Sequence, residues 1–464
     1  MDQHHAAGAP DGHAGAAPGF RVGVDGFNLA MPRGTGVATY GRVLTQALAG
    51  MGHPVDVLYG LNITPRTSEL LREVIFFDNL DQEGGRKRPG VMTPRWVREA
   101  LGDWTPSGAM TVPITGRVLS EPFRSRMPAF DRILNVCDLW SRAERHFKLW
   151  GRFMQVRVPD PPAVMHWTYP LPVLLQGARN VYTLHDLVPL RMPYTTLDNK
   201  GAYLRLIRGC LRWGDHVCTV SESSRRDIMD LFGAPGSRVT NTYQSAVPAV
   251  APVDDAGLAG WLAGLFGLRR DGYFLFFGAL EPKKNIGRLL EAYLASGIAA
   301  PLVVVGGRAW KSEGEMRLIQ GAGAGLAAVQ SVRQFEYMPR SWLTALIQGA
   351  RAVVFPSLYE GFGLPVLEAM QLGTPVVTST ESSLPEVAGD AALLVNPYDT
   401  GAIAGAMRAL DEDPALRARL SAAGLRQAGR FAMPEYQARL RGLYASVLAG
   451  PPRGAHAAAP ARGA

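Results

Sequence analysis

Cysteine is scarce in this chain, with three among 464 residues. Cys137, Cys210 and Cys218 form no C-x-x-C pair. That excludes a disulfide framework or a structural zinc site as the organising element and points to a reducing compartment. Long apolar runs are missing as well: none approaches the roughly 18 residues of a membrane-spanning helix. The opening stretch from Met1 to Phe20 is dominated by Ala, Gly, His and Pro and lacks the apolar segment of a signal peptide. Residues 1–19 read as a disordered arm, with His4 and His5 part of that arm rather than metal ligands. Acidic clusters are few. Asp411-Glu412-Asp413 sits in a Pro-bounded loop and reads as solvated, so no metal is expected. No RNA- or DNA-binding motif occurs, so nucleic acid is not an expected partner. These exclusions agree with a globular protein of a reducing, cytoplasmic compartment.

Size and charge are what the chain does have. Its length predicts two domains of roughly 200 residues each. A hydrophobic content of 47% with 19% charged residues is ordinary for an α/β protein. The formal net charge is +8 and the isoelectric point near 9.5. Such a surface is drawn to polyanions. An anionic membrane surface at the inner face of the cell membrane, or a pyrophosphate-linked lipid, fits that attraction. A generally basic composition with no specific partner fits it equally.

Strands and helices alternate. Phe20 to Asp25 reads as a strand, followed by the loop Arg33-Gly34-Thr35-Gly36, a helix from about Val37 to Gly50, and a strand over Pro54 to Tyr59. This is a βαβ opening. Further strands are predicted at Ala163–His166, Asn180–Leu184 and His216–Val220, and in the second half at Tyr273–Phe277, Leu302–Val305, Ser331–Arg333, Ala352–Phe355, Pro375–Thr378 and Ala392–Val395. The alternation predicts doubly wound parallel sheets. The Pro-, Asp- and Gly-rich stretch around 248–257 reads as a linker. The expected organisation is a first domain over 20–250, a second over 251–433, a crossover helix over 434–449 that returns to the first domain, and a disordered tail over 450–464. An insertion of about 61–160 exceeds what a βα connection needs. Within it Val136, Trp140, Ala143, Phe147, Trp150 and Met154 share one helical face, with Arg142, Arg145, Lys148 and Arg152 largely off it. That face either packs on its own domain or lies on a membrane interface.

The most informative segment is Tyr359-Glu360-Gly361-Phe362-Gly363-Leu364-Pro365-Val366-Leu367-Glu368-Ala369-Met370, where two carboxylates stand eight positions apart. A buried-strand pattern, Ala352 to Ser357, precedes it. Strand, glycine turn and helix together present backbone N–H groups and a positive helix end to a phosphate. Pro365 suits a first helical turn. The amides of Phe362, Gly363 and Leu364 are candidate diphosphate donors. Glu360 and Glu368 are candidate acceptors of hydrogen bonds from sugar and ribose hydroxyls. Gly361 and Gly363 permit close backbone approach.

This segment resembles the E-x7-E signature of retaining GT-B glycosyltransferases, specifically glycosyltransferase family 4. The resemblance continues through Leu372–Thr378, Ser383–Ala392 and Phe277-Gly278-Ala279-Leu280-Glu281-Pro282-Lys283-Lys284-Asn285. It implies a GT-B fold, with two Rossmann-like doubly wound α/β domains facing a central cleft, and a nucleotide-sugar donor as co-substrate with no further cofactor. By the same match Lys284, with Lys283 beside it, faces the donor phosphates after Gly278. Ala279 stands where some relatives carry an arginine. His185-Asp186 resembles the family's H-D-x-x-P segment, whose histidine faces the transferred sugar. Lys284, Glu360 and His185 are therefore the expected catalytic groups, without a protein nucleophile. The Gly34-Thr35-Gly36 loop reads either as a truncated dinucleotide fingerprint with Asp56 as the ribose acid, or, by resemblance, as a phosphate and acceptor loop facing the cleft. The branch it most resembles, bacterial polysaccharide mannosyltransferases, implies GDP-mannose and a saccharide acceptor, polyprenyl-diphosphate-linked. A UDP-sugar enzyme, a non-catalytic sugar- or nucleotide-binding module and a Rossmann oxidoreductase are the competing classes.

Overall fold

The computed structural model describes residues 19–31, 36–81, 103–123, 127–246, 254–307, 332–336 and 338–451. The first lobe is built on an eight-stranded sheet. Its strands are β1 (Val22–Asp25), β2 (Val55–Tyr59), β3 (Met110–Val112), β4 (Arg132–Asn135), β5 (Val164–Trp167), β6 (Arg179–Leu184), β7 (His216–Thr219) and β8 (Val239–Asn241). They lie in the order β8-β7-β6-β5-β1-β2-β4-β3, parallel except for β3. The second lobe has six parallel strands: β9 (Phe274–Phe277), β10 (Leu302–Val305), β11 (Val332–Phe335), β12 (Ala352–Phe355), β13 (Val376–Ser379) and β14 (Leu393–Val395). Their order is β11-β10-β9-β12-β13-β14. Runs such as Phe274-Leu-Phe-Phe and Ala352-Val-Val-Phe are buried along their whole length. That is what a parallel strand covered on both faces requires.

Both sheets reverse their winding at a central strand. In the first the reversal lies between β1 and β5, and in the second between β9 and β12. The crevice outside the carboxyl ends of such strands is where open α/β sheets take ligands. Asp25, Thr168 and His185 stand at the ends of β1, β5 and β6. Gly278 and the turn carrying Glu360 follow β9 and β12.

Helices that position these groups are α1 (Gly36–Gly50), α2 (Leu139–Trp150), α3 (Glu222–Phe232), α4 (Ile286–Ser296), α5 (Arg340–Gly349), α6 (Leu364–Gln371), α7 (Leu384–Ala388) and α8 (Met433–Ala449). Among the described residues no helix is long and apolar enough to cross a membrane.

The insertion differs from its sequence reading. It adds β3 and β4 to the first sheet, and α2 stops at Gly151, which takes a left-handed φ of 63° and donates to the Phe147 carbonyl. Met154 therefore lies on a strand (Met154–Arg157) that pairs with Val173–Leu175, not on the helix. Arg142 and Arg145 both bind the buried Asp103, at 2.6 and 3.0 Å, so they are not a free basic face. Asp56 is likewise consumed internally: Arg132 and Arg21 contact it at 2.6 and 3.0 Å. Removing either partner from a buried carboxylate costs about 3–5 kcal/mol, which excludes Asp56 as a ribose acid.

A buried polar network ties α8 to the first sheet. His166 Nδ1 is 2.7 Å from the Tyr444 hydroxyl, and its Nε2 is 2.7 Å from Thr183 Oγ1. His166 and Trp167 are wholly buried. Trp167 Nε1 donates to Asn180 Oδ1 at 3.0 Å.

Burial, together with the nearby His185, drives the His166 pKa from 6.5 to about 3. Burial and Arg238 drive His216 to about 4. The unfolded chain protonates both imidazoles near 6.5 while the folded chain resists, so stability present at neutral pH is lost as the pH falls below that value. Asp25, which burial raises from 3.8 to about 6, binds its proton earlier in the folded state and returns part of the loss. Among the described residues burial also lowers His53, His146 and His185, and these add to the loss, while the raised Glu281 and Glu368 return part of it; five lowered histidines outweigh three raised carboxyls. The melting temperature should therefore fall between about pH 7.5 and pH 5, and His216→Gln should flatten the slope. Equal melting at both pH values would contradict the assignment.

Candidate functional site

The second lobe's switch point carries a buried ion pair. Lys284, at the end of the single turn Pro282–Lys284, places Nζ 2.6 Å from Glu360 Oε1. The same ammonium lies 4.9 Å from the centroid of the Phe355 ring. Lys283 and Lys284 reach Glu281 at 3.7 and 3.9 Å. Asn285 takes a left-handed φ of 62°, and its amide nitrogen donates to the carbonyls of Pro356 and Pro397 at 3.0 and 2.7 Å. These bonds lock the lysine turn to the loop that carries Glu360.

Two serines fix that loop. Glu360 N donates to Ser382 Oγ at 2.8 Å, and Ser383 Oγ lies 2.9 Å from the carbonyls of both Glu360 and Phe362. Gly363 caps α6 with a φ of 103° and no side-chain bond. No hydrogen bond among the described residues uses the amides of Gly363 and Leu364, as expected for the first N–H groups of a helix. The Phe362 side chain is buried against Phe431, centroids 5.4 Å apart, so only its backbone faces the turn. Glu368 pairs with Arg340, the first residue of α5. Gly278 ends β9 with a φ of 139°, and its amide donates to the Val305 carbonyl at 2.9 Å.

Across the cleft, His185 Nε2 is 2.8 Å from the Thr168 carbonyl. A carbonyl only accepts, so Nε2 carries the proton and a neutral ring keeps Nδ1 as an acceptor. Thr168 is itself held by the Asp25 carboxylate, which accepts from its amide. The lobes touch at this level. A Cβ on Gly361 would come 2.5 Å from the His185 carbonyl oxygen. Glu386 accepts from the amides of Glu222 and Ser223 at 2.9 Å each and from the Tyr243 hydroxyl at 3.2 Å. One lobe's carboxylate thus caps α3 of the other. Tyr359 donates to Asp227 across the same seam. Gly36 opens α1 within reach of Leu364; Gly34 and Thr35 lie outside the described residues.

Two family models match the chain, Glycosyltransferase Family 4 over residues 34–243 and Glycosyl transferases group 1 over 268–427. The chain belongs to glycosyltransferase family 4. O-antigen chain mannosyltransferase B of Escherichia coli is 35% identical over 259 residues, 54% of this chain and 66% of that protein. The serotype-specific mannosyltransferase WbdA of E. coli is 30% identical over 261 residues, 54% of this chain but 32% of WbdA. The matches thus span from about a third to just under two thirds of these relatives. Among solved structures, HepE of Anabaena in complex with UDP and glucose superposes with a TM-score of 0.62 at 12% identity, covering 92% of this chain and all of HepE. The sucrose-phosphate synthase of Thermosynechococcus elongatus gives 0.61 at 18% identity, over 93% and 99% of the two chains. These likenesses show the GT-B fold, two Rossmann-like domains about a cleft.

The electrostatics of the site are set by burial against charge. Burial pushes the Glu360 carboxyl up, but the charges of Lys284 and Lys283 and the hydrogen bond from Lys284 prevail and hold it below its usual range. Burial opposes charge on Lys283 too, yet Glu360, Asp186 and Glu281 raise its pKa above the ordinary value. Glu368 is raised by burial despite Arg340. His185 is lowered by burial against the Thr168 bond and the Asp186 charge, so the ring is neutral at pH 7. Arg340 carries no local sequence signal, because it reaches Glu368 from 28 positions away.

Gly361→Ala tests the seam. Gly361 has no left-handed φ, so the cost comes from contact with the backbone carbonyl of His185. Overpacking of this kind costs about 1–3 kcal/mol. The variant should melt lower and show a larger radius of gyration by small-angle scattering, as the lobes are pushed apart. An unchanged radius with unchanged melting would show the seam to be loose.

Proposed function

We propose that the protein is a retaining glycosyltransferase that moves mannose from GDP-mannose to a saccharide acceptor, lipid-linked, in cytoplasmic polysaccharide assembly at the inner face of the membrane. The observation that carries the reading is the Lys284–Glu360 pair beside a helix N-terminus at the sheet's switch point. The mannosyltransferase names of the E. coli relatives support the choice of sugar.

Transfer breaks the bond between the sugar C1 and a diphosphate oxygen, so negative charge grows on the leaving group while the sugar becomes oxocarbenium-like. Lys284, Lys283 and the amides of Gly363 and Leu364 answer that charge, and fixed donors of this kind supply most of such a catalyst's advantage. Glu368 takes the ribose hydroxyls, exchanging its Arg340 contact for them. Glu360 takes hydroxyls of the transferred sugar. The neutral His185 ring offers Nδ1 as an acceptor to the same sugar. The acceptor oxygen then bonds to C1 on the face the diphosphate leaves, and its proton passes to a departing phosphate oxygen. That route retains configuration and needs positioning rather than a protein nucleophile. No group of His, Cys, Asp and Glu suited to a metal occurs among the described residues, and the proposed steps use lysines and amides for the phosphate charge.

A thermal-shift panel of GDP-, UDP-, ADP- and dTDP-sugars tests the donor. At 100 times the dissociation constant a ligand stabilises by about 2.7 kcal/mol, so GDP-mannose should raise the melting temperature most. Lys284→Ala and Glu360→Ala should each lower turnover about 100-fold or more, read as GDP release and saccharide product. Donor binding without turnover in the native protein would leave a binding module. Native turnover matched by both variants would overturn the site.

A further inference from the structure

Outside the lysine turn lies a groove that the proposed donor site does not use. It encloses about 290 Å³ and is lined by Pro282, Asn285, Gly287, Arg288, Glu291 and Leu358. The lower end of ligand-pocket sizes is about 300 Å³, room for a sugar unit rather than a whole nucleotide sugar. Arg288 donates to Asn285 Oδ1 at 3.0 Å, and its guanidinium sits 5.5 Å from the centroid of the Tyr398 ring. The fork is therefore fixed before any ligand arrives. Tyr398 is 53% exposed and Tyr194, from the facing lobe, 66% exposed. Tyr398 lies within electrostatic range of both Tyr194 and Arg288. Val188 and Met192, just before Tyr194, pack with Tyr359 and with Leu358, which lines the groove.

We propose that this groove is a subsite for a hexose unit of the acceptor chain, with Tyr398 and Tyr194 against pyranose faces and Arg288 with Glu291 taking vicinal hydroxyls. Exposed tyrosines offer an apolar face and a polar tip, which is how a pyranose ring is itself made. The guanidinium and carboxylate give fixed donors and acceptors, and because their charges offset, the groove suits a neutral polyol better than a phosphate. Leu358 is two residues before Glu360, and its amide donates to the Lys283 carbonyl at 2.8 Å. A sugar here would be continuous with the reacting end of the chain.

The inference rests on the transferase reading for its choice of ligand, so the test separates the two. Saturation-transfer NMR with α-linked mannotetraose, without donor, should show binding to the native protein and loss of it in Tyr398→Ala and Arg288→Ala. In both variants the GDP-mannose melting shift should stay native. In turnover the KM for the tetrasaccharide should rise about tenfold, with kcat and the KM for a single-sugar acceptor unchanged. Equal tetrasaccharide binding by all three proteins overturns the groove, and so does no binding to a native protein that the donor still stabilises. If no sugar nucleotide stabilises the protein, the transferase reading fails, and tetrasaccharide binding lost in the variants would still uphold the groove.

Discussion

Everything in the cleft is arranged around one buried contact, the ammonium of Lys284 against the carboxylate of Glu360. A buried ion pair is a poor source of stability, because desolvating both charges takes back most of what their attraction yields. The pair persists here because neighbours overdetermine it. Asn285 pins the lysine turn, and Ser382 and Ser383 pin the carboxylate's loop. The result is a cation and an acceptor held in register at the mouth of the second sheet before any ligand binds. Such fixed charges need no reorganisation when a leaving group becomes anionic.

The seam between the lobes is equally specific. Gly361 lies against the His185 carbonyl, Glu386 caps α3, and Tyr359 reaches Asp227. Tyr359 and Gly361 flank Glu360 in the pinned loop, and Glu386 follows closely on Ser383, which pins it. Motion between lobes and the placement of Glu360 therefore share the same short stretch of chain, so a change in one is felt by the other.

Strands buried on both faces were readable because parallel sheets demand unbroken apolar runs, as at Phe274–Phe277 and Ala352–Phe355. The glycine turn with its two acids was readable because a phosphate-facing helix start needs small residues and free amides. What the sequence hid is long-range. β4, with the core Ile133 and Leu134 between polar Arg132 and Asn135, looks like loop until β2 and β3 pair with it. Arg340 stands 28 positions before Glu368 in sequence, and only the packing of α5 beside α6 brings them together. His166 ends a predicted strand, and only the structure shows α8 meeting it through Tyr444.

That last helix carries a further consequence. α8 follows the second lobe in sequence, yet Tyr444 bonds to His166, Gln437 donates to the Ala47 carbonyl at 3.1 Å, and Arg179 donates to the Gly450 carbonyl at 2.6 Å. The first lobe's floor is finished by the end of the chain. A ribosome making this protein therefore releases an N-terminal half with an unsatisfied imidazole and an uncovered apolar surface until the final turns emerge. Splitting the molecule into separately expressed halves would have to ship α8 with the wrong piece of sequence to keep the right piece of structure whole.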